Sequence, residues 1–155
     1  MTYTVEGNMQ HGDLSNVVTP RIVIVFEGAV GFLMNEYDKK YQKALKRERW
    51  WDAITYWKLN NQMLGRLWYL FAKKSVTIDV CTWMGEGMAE AIADVLNDNN
   101  IPVQSVWAST PDRLARELAY IPDISLIYDP DPDHVFTFGG KGRLLTDVNQ
   151  IGEGI

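Results

Sequence analysis

The chain has 155 residues, 46% of them hydrophobic and 23% charged, and a formal net charge of −5. That length suits a single domain able to bury a core without disulfide staples, and the acidic balance excludes a global attraction to nucleic acid. Cys81 is the only cysteine, which excludes an internal disulfide and fits a reducing cytoplasm.

Residues 1–20 are polar, turn-rich and non-periodic, and read as a mobile arm. The opening Met-Thr-Tyr-Thr-Val-Glu-Gly lacks the basic and apolar regions of a signal peptide. No apolar run in the chain approaches the roughly 20 residues of a membrane span. Arg21 to Phe26 is a continuous, β-branched apolar run, the pattern of a buried parallel strand. Tyr37 to Lys73 carries apolar residues at helical spacing and predicts two helices, broken near Leu59-Asn60-Asn61. Val76 to Thr82 is a second strand, and Cys81 within it reads as a small core residue. A helix follows from Met88 to Asn97, stopped by Asp98-Asn99-Asn100. Val103 to Trp107 is a third strand. Thr110 then caps a helix over Asp112 to Tyr120, with Pro111 in its first turn, and Pro122 ends it. Ile124 to Tyr128 is a fourth strand and runs into Asp129-Pro130-Asp131-Pro132-Asp133. His134 to Phe138 reads as a fifth strand, Gly139-Gly140-Lys141-Gly142-Arg143 as a flexible basic loop, and residues 146–155 as a tail that frays.

Strands alternating with helices predict an α/β, three-layer Rossmann-like fold. It has a parallel sheet of about five strands, helices on both faces and a helical insertion after the first strand. Ligands of such sheets bind at the carboxyl ends of the strands. Here those ends bring Glu27-Gly28, Thr82-Trp83, Ala108-Ser109 and Asp129 to Asp133 to one edge.

In order and spacing these features resemble the haloacid dehalogenase (HAD) superfamily across residues 21–138. That family follows its first strand with two aspartates and Gly-Thr, and ends its second with Ser or Thr. It places a basic residue near the start of a later helix and acids after its fourth strand. Val25-Phe26-Glu27-Gly28-Ala29 lies over the first motif. Val25 takes the place of the nucleophilic aspartate, Glu27 that of the acid/base, and Ala29 that of the threonine. Thr82 fits the second motif. The third motif's lysine is absent, with Arg113 or Arg116 as substitutes. Asp129, Asp131 and Asp133 stand where the metal-binding acids belong. Valine can neither attack phosphorus nor bind magnesium, so the resemblance implies a member without phosphoaspartate catalysis. The remaining acids are candidate Mg²⁺ ligands, and the same run also reads as a stiff, solvated turn. Glu27-Gly28 with Asp129-Pro130-Asp131 resembles, more weakly, the Toprim domains, which hold magnesium for nucleic-acid chemistry.

Residues 37–73 sit where HAD proteins often insert a cap. Lys39, Lys40, Lys43, Lys46, Arg47 and Arg49 precede Trp50-Trp51, a mix that can hold phosphates or a partner and equally describes the solvated face of a helix. Lys46, Arg47, Trp50 and Trp51 are candidates for partner contact. Arg113, Lys141 and Arg143 are candidates for phosphate contact. His11 and His134 have no Cys or His neighbour and read as non-ligands. The leading expectation is a catalytically degenerate HAD-like protein, cytoplasmic and off the membrane, that binds a protein partner or a phosphorylated ligand. It would have no cofactor, or magnesium. Small proteins of this look resemble ones found in bacteria and their phages. The alternatives are a magnesium-dependent phosphohydrolase or nucleic-acid enzyme, and a homo-oligomeric assembly protein.

Overall fold

The strand β2 (Arg21–Val25) is buried on both faces, which is why its sequence is an unbroken apolar run. The computed structural model describes residues 2–4, 20–121 and 123–153; His11, Pro122 and most of the expected N-terminal arm lie outside the described residues. β2 pairs in parallel with β5 (Thr77–Thr82) on one side and β7 (Ile124–Asp129) on the other. β6 (Ser105–Ala108) adds in parallel to β5, and β8 (Gly142–Leu144) to β7. The five parallel strands thus run in the order β6-β5-β2-β7-β8. β1 (Thr2–Thr4) pairs antiparallel along β6 and lengthens the sheet by an edge strand.

Side-chain alternation along the strands feeds two cores. On one face Ile22, Ile24, Ile78 and Val80 meet Met63, Leu67 and Leu70 of α3 (Asn61–Lys74) and Met88, Ile92 and Leu96 of α4 (Glu86–Asp98). On the other, Val23, Cys81, Trp107 and Ile127 meet Leu114 of α5 (Pro111–Glu117) and Phe138, which follows α6 (Pro132–Thr137). The result is the three-layer α/β architecture that the alternation predicts. Among the described residues no helix is long and apolar enough to cross a membrane.

An ion pair on a buried carboxylate ties the foot of this sheet together. Asp79 on β5 is fully buried and accepts from Arg21 (Nε, 2.8 Å), Ser105 (Oγ, 3.0 Å) and Trp107 (Nε1, 3.4 Å). Arg21 also reaches Asp123 at 2.9 Å. Removing one member of such a buried set leaves the others uncompensated, at a cost of about 3–5 kcal/mol.

Three expectations are corrected. His134 to Phe138 is not a strand. Asp131 accepts from the Asp133 N–H at 2.9 Å, and Pro132 opens α6, so the segment is helical. The fifth parallel strand is β8, inside the stretch expected to be a flexible loop; a single 3₁₀ turn at Gly139–Lys141 precedes it. The C-terminal segment is docked through residue 153: Ile151 is 0% exposed, Arg66 donates to its carbonyl, and the Gly152 N–H donates to Tyr128 Oη.

The helical stretch after the first strand divides. The break near Asn60 is where expected, since Asn60 Oδ1 caps α3 through the Met63 N–H. The part before it holds two helices, α1 (Asp38–Lys46) and α2 (Trp50–Ile54), and they are flanked by a small antiparallel pair, β3 (Gly31–Leu33) and β4 (Trp57–Leu59). α3 belongs to the main body. Trp50 of α2 lies directly against Gly87 of α4, and a Cβ there would fall on the indole.

Candidate functional site

The parallel order reverses its direction of growth at β2, so the crevice between the carboxyl ends of β2 and β7 is the place where such sheets take ligands. Val25 ends β2 and is 0% exposed. The chain then turns sharply. The N–H groups of Ala29, Val30 and Gly31 all point to the Phe26 carbonyl at 3.0 to 3.2 Å. Gly28 adopts φ +81, a region that favours glycine, which lets Glu27 project at the strand end.

Glu27 Oε2 accepts from the Trp83 N–H at 2.8 Å, and its Oε1 is buried without a hydrogen-bond partner among the described residues. Burial raises the carboxyl's pKa, the Trp83 N–H opposes the rise, and the neighbouring charge of Asp129 adds to it. Thr82, fully buried at the end of β5, accepts from the Met84 N–H at 3.2 Å. Tyr41 of α1 donates to Met84 Sδ at 2.7 Å, and burial, with the charge of Glu27 adding, pushes its phenol up to about 12.

Asp129 ends β7 and is 1% exposed. Its Oδ1 accepts from the Asp131 N–H at 2.8 Å, and its Oδ2 lies 2.8 Å from His134 Nδ1. Burial raises this carboxyl too, against the lowering effects of the Asp131 N–H and His134. His134 Nε2 faces Asp131 Oδ2 at 3.5 Å, and the Trp83 ring packs edge-on against the imidazole, 5.7 Å between centroids. Helix α6 brings His134 back onto Asp129, five residues earlier.

Among the described residues no group of three or more His, Cys, Asp or Glu side chains is placed to hold a metal ion. Both oxygens of Asp129 and one of Asp131 are engaged by their own loop, and Asp133 is an exposed residue in the first turn of α6. Among the described residues Glu27 Oε1 has no hydrogen-bond partner, and Asp131 Oδ2 faces His134 Nε2 at 3.5 Å.

The structure brings together Glu27, Thr82, Asp129 and Asp131 at one strand edge and adds His134, Trp83 and Tyr41. Arg113 pairs with Glu117 at 2.7 Å along α5. Arg143 donates to the Gly140 and Gly142 carbonyls at 2.8 Å. Among the described residues neither these two nor Lys141 has a hydrogen bond or ion pair with Glu27, Thr82 or Asp129. Trp50 is packed against the main core, Trp51 is 47% exposed and donates to Asp94 at 2.7 Å, and Lys46 and Arg47 are exposed. No family model, curated protein or solved structure matches the chain.

Proposed function

We propose that the chain is a HAD-like protein without phosphoryl-transfer activity, and that it works by binding a phosphate-bearing ligand. The observation that carries this reading is the chemistry of the β2 end. A side chain that cannot attack phosphorus, Val25, fills the nucleophile position, and it is 0% exposed. The carboxylates that remain are tied to backbone N–H groups, Glu27 to that of Trp83 and Asp129 to that of Asp131, and Asp129 also to His134. The strand order and the insertion after β2 support the family, and the cations of that insertion support the ligand class.

A magnesium-dependent enzyme built on Glu27, Asp129 and Asp131 would need their oxygens to face a common cation, whereas Asp129 faces His134. The test is turnover of an aryl phosphate and an acyl phosphate by the full chain, with and without Mg²⁺. The expected result is phosphate release no faster than the buffer rate. Release that follows protein concentration and falls away in Glu27→Gln would overturn the reading.

A further inference from the structure

A cavity of about 260 Å³ lies between α1 and α2, outside the strand edge described above. Its walls carry Lys40, Lys43, Arg47 and Arg49, with one carboxylate, Asp52, and the phenol of Tyr56. Four cations against one wall carboxylate is an unusual balance in a chain whose formal net charge is −5. Among the described residues none of the four is in an ion pair.

Local structure explains how they come together. Lys40, Lys43 and Arg47 are spaced by three and four residues, which puts them on one face running off the end of α1. Glu48 then adopts φ 55, a left-handed conformation that is costly for any residue but glycine. Its N–H bonds the Leu45 carbonyl, and the Arg49 N–H bonds the Ala44 carbonyl, both at 3.0 Å. This closed turn fixes Arg49 on the same cavity as the three cations before it. Like charges at these spacings repel, and Asp52 is the one carboxylate among the lining residues.

We infer that this cavity binds a compact oligophosphate group, two or more adjacent phosphates carried by a small molecule. The site rests on the binding function proposed above and gives it a location. Arginine forks suit phosphate oxygens bidentately and lysines add point charge. A small ligand fits better than nucleic acid, because the four cations line one cavity of about 260 Å³ in a chain whose formal net charge is −5. A long polyanion would run off that cavity onto like charge.

The experiment is calorimetry on the full chain with inorganic triphosphate, orthophosphate, ATP and a single-stranded oligonucleotide as separate probes. One-to-one binding of triphosphate is expected, stronger than that of orthophosphate. Arg47→Ala/Arg49→Ala should weaken it roughly tenfold or more, and Arg47→Lys/Arg49→Lys should weaken it less. Lys73→Ala/Lys74→Ala, a basic pair at the far end of α3, should leave it unchanged. ATP binding more tightly than triphosphate would make a nucleotide the source, and equal affinity would make it the phosphate chain alone; either supports the site. Absent triphosphate binding, equal loss in both alanine pairs, or tighter binding of the oligonucleotide overturns it. Enzymatic phosphate release would sink the non-catalytic reading and leave the cavity standing, so the two failures are distinguishable.

Discussion

Glu27 is held at the end of β2 by a hydrogen bond from the Trp83 N–H, while its Oε1 is buried without a hydrogen-bond partner among the described residues. A carboxyl group in that setting binds its proton more tightly in the folded chain than in the unfolded one. The linkage sign follows. Its contribution to stability is fully present at low pH and is lost as pH rises from the ordinary value of 4.5 toward the raised folded value. Glu27→Gln removes that loss and keeps an acceptor for Trp83. The melting temperature of the variant relative to wild type is therefore expected to rise as pH rises above the ordinary carboxyl value of 4.5. A difference that stays flat as pH rises would mean the carboxylate is well solvated. Glu27 and Thr82 were legible as site residues because they follow strand ends that the apolar pattern locates. His134 was not, because its partner is a carboxylate five residues back. The two meet only once Asp131 and Pro132 have started a helix.

At the scale of elements, the insertion after β2 is seated on the main body by α2 against α4. Gly87 is the contact point, and its lack of a Cβ is what admits the Trp50 indole. Gly87→Ala should destabilise the fold by about 1–3 kcal/mol, the usual cost of overpacking, read by urea unfolding. An unchanged midpoint would show that Trp50 does not sit there. β2, β5, β7, α4 and α5 were all visible in the sequence, each carrying either a long apolar run or a capped helical period. β3, β4 and β8 were not, since a three-residue strand is too short to show a period. α6 was mistaken for a strand because Val135 and Phe136 carry β propensity. Its Asp-Pro start is the same kind of signal as Thr110-Pro111, which was read correctly.

For the whole molecule, the chain grows from β2 outward through β5 to β6, then returns to the other side of β2 for β7 and β8. Right-handed crossovers make that path a natural one. It is what sets Glu27 beside Asp129 although 102 residues separate them. The crevice so formed has the position of an active site, and Asp129 and Asp131 within it are bonded to the loop that carries them. The cations that form no ion pair among the described residues lie apart from it, on the insertion. The sequence showed both groups of charge but not their separation, which depends on the turn at Glu48 and on the docking of α2. The most direct measurement is a calorimetric titration of the full chain with Mg²⁺ and Mn²⁺, on wild type and on Asp129→Asn/Asp131→Asn. The account predicts no saturable heat from either protein up to about millimolar metal. A stoichiometric isotherm in wild type that the double variant abolishes would contradict it, and would place a working metal site at the end of β7.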